Sequence, residues 1–433
     1  MAKKKCAFLL GCMVAVVVWL TMSVDFSLAE SQTRTVKVGW IADMTGPTAG
    51  SVIPMVWATQ DWFKYVNDEL GGIDGVKVEV IWGDAAYKLD LGLQLYNKFS
   101  ADKDIVMIAC CTTHINNAIA PKCMKDELVQ YAPSPAPEAM YPVKWCYSHS
   151  AGYGDQLGAF IDWKLSSLSG ERPLRLALMY MDVPFGKSIY DGGGVSYCKA
   201  RGVEIVAEEA LPPRTSDVTT NLRKTVGNEP DFVYYQGTVT QAAVIARDAQ
   251  KINFKIPLCL SANSVPDQFV SLAGETAAEG VMMMSWSNPW HGVVAKEITA
   301  DIQKVEEFFK RNRPKEDAEK VGVGYFHGLA MSIITTHAIK LALEKVAVKD
   351  LSGKTLKEFG FDRVKDFRET RGLTGPITYT AEDHRGGQYI KILGIENGLG
   401  YTVKDWFQTP YLVRDGCLNS AYVESGDWKD ILK

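Results

Sequence analysis

Short β-branched runs that alternate with stretches of helical periodicity leave a chain few folds. Strands linked through helices lie parallel, and a parallel sheet must be covered on both faces. The pattern starts at Val36 to Gly50, VKVGWIADMTGPTAG. Val36, Val38, Trp40 and Ile41 suit a buried strand, and Thr45-Gly46-Pro47 breaks the chain at its carboxyl end. Met55 to Leu70 predicts a helix with Val56, Thr59, Phe63, Val66 and Leu70 on one face, stopped by Gly71-Gly72. Val76 to Trp82 alternates as a strand, with Val76, Val78, Val80 and Trp82 inward. Leu89 to Ser100 is a helix, Ile105 to Ala109 a strand, Ile115 to Asp126 a helix and Val129 to Ala132 a strand. Pro133-Ser134-Pro135-Ala136-Pro137 follows as a stiff loop. The alternation predicts a parallel doubly wound α/β sheet.

A second set follows a crossing near Gly152-Tyr153-Gly154. Leu174 to Met181, Val203 to Ala210, Phe232 to Gln236, Ile256 to Leu260 and Val281 to Met284 are predicted strands. Ser188 to Ala200, Val218 to Val226 and Thr240 to Lys251 are predicted helices. Pro289 with Trp286 and Trp290 marks another crossing. Helices from about Val294 to Lys310 and Gly324 to Lys345 come next, then a strand from Tyr389 to Leu393. The tail after Gly400 is aromatic and mixed, with no readable element. At 433 residues the chain exceeds one ordinary core, so two lobes are expected.

Met1 to Ala29 stands apart. Lys3 to Lys5 form a positive start, Phe8 to Leu20 an apolar core, and Ser27-Leu28-Ala29 a small-residue cleavage site, so a secretory signal peptide is expected. An uncleaved anchor or a lipoprotein site at Cys12 fits less well, because the apolar run is short for either. No other run reads as long enough to cross a bilayer. The rest of the chain is therefore expected in the periplasm. Seven cysteines lie beyond the signal: Cys110, Cys111, Cys123, Cys146, Cys198, Cys259 and Cys417. Cys123 with Cys146 is the favoured bridge, with buried free thiols the alternative.

Several chemistries find no support. Lys plus Arg number 47 against 51 Asp plus Glu, so no basic excess exists to hold nucleic acid. Pro184-Phe185-Gly186-Lys187-Ser188 ends like a phosphate loop, but Met181 stands where that loop needs its first glycine. Gly192-Gly193-Gly194 reads as a helix interruption. No two of His114, His149, His291, His327, His337 and His384 have metal-ligand spacing on one helix. No nucleophile elbow appears. No cofactor, metal or catalytic residue is expected, and the chain is read as a binder.

What remains is a set of residues at predicted strand carboxyl ends, the edge where open α/β sheets bind ligands. In the first half these are Ser51, Thr112, Thr113, Ala136 and Glu138. In the second they are Phe185, Gln236, Thr238 and Asn263. Hydroxyls and free amides at helix starts suit a carboxylate.

At these residues the chain resembles the branched-chain amino acid binding proteins, the type I periplasmic solute-binding family of ABC importers. The resemblance runs from Val36 to about Gly398. It rests on VKVGWIADMTGPTAG, on Asn67 to Gly75, on Thr112-Thr113 and on Ser134-Pro135-Ala136. It continues through Leu211 to Asp217, Pro230 to Val233, Ala273 to Val281 and Leu373 to Ile377. It implies two doubly wound lobes joined by three hinge crossings: 36–152 with 288–374, and 153–287 with 375–433. It also implies closure on a small-molecule ligand and delivery to a membrane permease, by a monomer. In that family a hydroxyl at Thr112 and nearby amides hold the ligand carboxylate, and an aromatic residue packs the ligand at Phe185. A second hydroxyl of the family falls near Glu138, a tyrosine at Thr238, and the ammonium-pairing carboxylate near Asn263. These departures leave two ligand classes open. One is an amino acid, branched-chain included, with Glu138 as substitute ammonium partner. The other is a non-amino organic or aromatic acid or amide. A ligand-sensing component of a receptor is a further alternative.

Overall fold

The β-branched runs build two sheets whose carboxyl edges face each other. The structure is a computed structural model and describes residues 34–133, 135–167, 172–263, 266–287, 300–316, 322–370, 372–410 and 412. The signal segment, Ser134, Pro289, Trp290, His291 and Cys417 lie outside the described residues.

In chain order the first lobe holds β1 (Arg34–Ala42), α1 (Ala49–Glu69), β2 (Val76–Asp84), α2 (Leu89–Ser100), β3 (Ile105–Cys110), α3 (Thr113–Lys125), β4 (Val129–Tyr131), α4 (Pro137–Met140) and β5 (Cys146–Tyr147). The five strands pair in the order β2-β1-β3-β4-β5, all parallel. Val36, Val38, Trp40 and Ile41 are fully buried, as a central strand requires. Trp82 is 47% exposed instead of inward, because β2 is the edge strand and its last turn is uncovered.

The second lobe holds α5 (Tyr153–Ser167), β6 (Arg175–Met181), α6 (Pro184–Asp191), α7 (Gly194–Ala200), β7 (Glu204–Leu211), α8 (Thr219–Gly227), β8 (Phe232–Gln236), α9 (Val239–Lys251), β9 (Leu258–Leu260), α10 (Pro266–Ala273), α11 (Glu275–Ala278) and β10 (Met282–Ser285). The chain returns to the first lobe for α12 (Ala300–Asn312) and α13 (Gly322–Leu343), then ends in the second lobe with β11 (Tyr389–Glu396) and β12 (Leu399–Gln408). The second sheet runs β12-β11-β10-β9-β8-β6-β7. Its parallel part ends at β10, and β11 and β12 add an antiparallel hairpin. The tail that showed no readable element thus supplies a strand.

Two expectations are corrected. Cys123 and Cys146 are buried free thiols, not a bridge. Helix α13 is long and apolar enough to cross a bilayer, although no such run was expected, but 72% of its apolar window is buried inside the protein. It is the central helix of the first lobe.

What it packs against positions the cleft. Gly324 and Gly328 of α13 meet the Ser51 and Met55 carbonyls of α1 so closely that a Cβ on either glycine would collide with them. Proline 54 lies inside α1, so the Gly50 carbonyl loses its helical donor. Gln268 of the second lobe takes that carbonyl instead, its Nε2 donating at 3.1 Å.

The crossings are tied by buried polar groups. Ser148 in the first donates its N–H to the His384 carbonyl in the third at 2.9 Å. Arg385 donates from Nε and Nη2 to Asp383 at 2.9 and 2.8 Å, and from Nη1 to Asp155 at the start of α5. Beside them the buried His149 and His327 rings share a hydrogen bond of 2.7 Å, and His149 bonds the Tyr131 hydroxyl at 3.1 Å.

Gly328→Ala tests the α1–α13 contact. Alanine gains roughly 1 kcal/mol over glycine in an exposed helix, but forcing a methyl into packed backbone costs about 1 to 3 kcal/mol. A net fall in melting temperature by circular dichroism is expected. A variant as stable as wild type would show that the two helices are free to separate.

Candidate functional site

Three strand ends of the first sheet and three of the second converge on one pocket between the lobes. In each sheet they flank the point where the strand order reverses, the position that favours ligand binding. The pocket holds about 400 Å³ of space, part of it continuous with solvent.

After β1 the Thr45-Gly46-Pro47 turn wraps around a buried carboxylate. Asp43 accepts hydrogen bonds from the Gly46 and Thr48 N–H groups at 2.7 and 2.8 Å and from the Thr48 hydroxyl. Asp84 at the end of β2 braces the same turn through the Met44 N–H and the Thr45 hydroxyl, at 2.9 and 2.7 Å. Burial opposes its charge, but these bonds and one from Ala86 N–H hold its carboxyl below the usual range. Thr48, Ser51, Val52 and Met55 then line the pocket.

After β3, Thr112 occupies the N-cap position of the 13-residue helix α3. A threonine there ordinarily accepts from an amide in the first turn. This one does not: its side chain caps nothing, and its hydroxyl is buried with no hydrogen-bond partner among the described residues. Thr112 is 2% exposed and lines the pocket with Cys111 and Thr113. The Asn116 side chain locks the loop from behind, donating to the Cys110 carbonyl at 2.8 Å and accepting from Gln130 at 2.9 Å.

The second lobe repeats the device. Thr238 is the N-cap residue of α9, again without a side-chain cap. Phe185 opens α6 and packs edge-on against Tyr153, with centroids 5.2 Å apart. Asn263, after β9, donates to the Tyr153 hydroxyl at 3.2 Å. Phe185, Tyr153, Thr238 and Asn263 form the wall opposite Thr112.

A two-lobed cleft of this topology can hold a solute between its halves. The family model described as periplasmic binding protein matches residues 35–398. The chain belongs to the periplasmic binding protein family. It is 22% identical over 248 residues to the Leu/Ile/Val-binding protein homolog 1 of Brucella abortus, covering 57% of this chain and 66% of that protein's length. Its fold is that of a branched-chain amino acid ABC transporter protein from Thermus thermophilus with bound valine, at TM-score 0.77 and 20% identity, covering 88% of this chain and 98% of that one. It is also similar to a fatty acid ABC transporter substrate-binding protein from Thermomonospora curvata, at TM-score 0.76 and 18% identity, covering 88% and 94%.

In this periplasmic binding protein Ser51, Thr112, Thr113, Phe185, Thr238 and Asn263 lie together on the pocket. Three other candidates lie elsewhere. Ala136 lines an adjoining recess with Tyr141, Tyr153 and Arg385. Gln236 is wholly buried behind the wall, its Nε2 3.4 Å from the Phe185 carbonyl. Glu138 is exposed and lies near enough to Asp191 of the second lobe, also exposed, for the two carboxyls to interact electrostatically. Tyr87 and Tyr153 are pocket residues that sequence reading missed. Tyr87 follows β2 at the same sheet edge, so the edge rule was enough to find it. Tyr153 was hidden between two glycines read only as a crossing.

Glu138 and Asp191 repel when both are charged. Partial desolvation of its carboxyl raises the Glu138 pKa, and the Asp191 charge adds to that. Burial also raises Asp191, against the pull of Glu138 and Lys187. Raised carboxyls hold the proton in the closed form, so closure is favoured at acid pH and weakens as pH rises through the raised values. Small-angle scattering should therefore show the molecule opening as pH is raised from mildly acidic. Glu138→Gln should flatten that profile, and an unaltered profile would dismiss the pair as its origin.

Proposed function

We propose that this periplasmic binding protein captures a small carboxylate-bearing solute between its lobes and presents it to the permease of an ABC importer. On this reading it works as an exported monomer, led out by residues 1–29, and transforms nothing. The observation that carries the reading is the Thr112 hydroxyl. It is buried, has no partner among the described residues and is set at the start of a 13-residue helix whose first turn it leaves uncapped. A carboxylate there completes the hydroxyl, the amides and the helix dipole together. Closure over it removes water and strengthens each bond.

Two ligand classes fit. An amino acid is supported by the valine-bound structural neighbour. A non-amino organic acid is supported by the pocket itself, because none of its described lining residues is Asp or Glu. An ammonium group would meet the neutral Asn263 amide and Thr238 hydroxyl, which pair weakly with a cation. The fatty-acid neighbour is in keeping with that second class.

A thermal-shift screen of L-amino acids against simple aliphatic and aromatic carboxylates separates them. Stabilisation by amino acids alone would remove the organic-acid class, and the reverse result would remove the amino-acid class. Thr112→Ala is expected to weaken the strongest hit by the roughly 1.5 to 3 kcal/mol of a hydrogen bond to a charged group. Calorimetry that finds unchanged affinity would take Thr112 out of the site.

A further inference from the structure

Tyr87 lines the pocket, and its hydroxyl has no hydrogen-bond partner among the described residues. After β2 the Ala85 N–H donates to the Ala42 carbonyl at 2.7 Å. The chain then enters the left-handed region at two successive non-glycine residues, Ala86 at φ 47° and Tyr87 at φ 60°. L residues avoid that region, and such outliers persist only where the surroundings hold them. Here the Asp84 carboxylate does so, accepting the Ala86 N–H at 2.8 Å. The consequence is that the Tyr87 ring packs edge-on against His114, centroids 4.7 Å apart. Its hydroxyl oxygen is buried and has no hydrogen-bond partner among the described residues.

Thr112 is in the same condition on the same wall. The Tyr87 hydroxyl lies within electrostatic reach of the Cys111 thiol, and Cys111 is the neighbour of Thr112. Burial, with Asp43 and Cys111, pushes the phenol well above its ordinary pKa, so it stays neutral and able to donate. Two buried hydroxyls unpaired in one pocket are both unfavourable until something accepts from them.

We propose that the Tyr87 hydroxyl is a second donor to the carboxylate of the solute, beside Thr112. The inference rests on the carboxylate reading of the pocket. It makes Tyr87 a ligand-contacting residue, and it assigns the strained Ala86-Tyr87 bend the task of aiming the phenol at the anion.

Tyr87→Phe removes one oxygen and keeps the ring on His114. Without ligand, the variant should melt at or above the wild-type temperature, since a buried unpaired hydroxyl is lost. A lower melting temperature would mean that the hydroxyl has a structural partner, and would overturn the proposal. Calorimetry with L-leucine, L-valine, benzoate and hexanoate then compares wild type, Tyr87→Phe and Thr112→Val. Each probe that binds wild type should bind Tyr87→Phe about 10-fold to 100-fold more weakly, the loss of one hydrogen bond to a charged group. Unchanged binding to Tyr87→Phe with weakened binding to Thr112→Val overturns the role of Tyr87 and leaves the carboxylate reading standing. Failure of wild type to bind any of the four acids overturns both.

Discussion

A guanidinium buried at the hinge sets how the two lobes face each other. Arg385 is 4% exposed, and a charge so placed must be matched or the fold fails. Asp383 matches it from within the third crossing, and Asp155 matches it from the first turn of α5. Asp155 also accepts the Leu412 N–H at 2.9 Å, which draws the end of the described chain onto the hinge. Three segments distant in sequence thus meet at one cation. Tyr153 and Ala136 take their places around it, one at the pocket and both at the recess beside it. Single replacement of such a partner leaves an uncompensated charge, worth about 3 to 5 kcal/mol.

Given that hinge, each lobe prepares its face by local chemistry. The N-cap threonines Thr112 and Thr238 lie at strand ends of opposite sheets, and neither caps its helix. An N-cap hydroxyl that leaves its amides alone gives up part of the helix's own stability to keep donors for a partner. The same economy of backbone groups appears where Pro54 frees the Gly50 carbonyl and Gln268 reaches over from the other lobe to take it. That bond is a direct polar link between the lobes. A solute in the pocket adds its own links to both walls.

Much of this was legible in the residues. Leu89 to Ser100 was delimited as the helix it forms, and Val36 to Ile41 as a buried strand, because one period dominates each stretch. Elsewhere local signals were incomplete. The helix expected over Ser188 to Ala200 starts earlier, at Pro184, and is split in two at the Gly192-Gly193-Gly194 interruption, with Gly193 at φ 76°. Gly154, within the stretch read as a crossing, lies in the first turn of α5, where a side chain would strike the Gly192 backbone. Strand β12 escaped because most of its side chains are exposed at a sheet edge, so no apolar alternation announces it.

Sequence by itself determined the α/β alternation, the edge where the site lies, and the hydroxyls and aromatics available there. All of these follow from periods of two and 3.6 residues and from residue types at strand ends. Only the tertiary structure decided which of them share a pocket. It seated Gln236 behind the wall, brought Glu138 near Asp191, left Cys123 and Cys146 as separate thiols, and put Tyr87 and Thr112 on one pocket, neither hydroxyl having a partner among the described residues. The reason is range. Local pattern reports the neighbours of a residue along the chain, whereas a contact between lobes depends on the hinge, on helix approach at Gly324 and Gly328, and on a buried charge joining residues 230 positions apart.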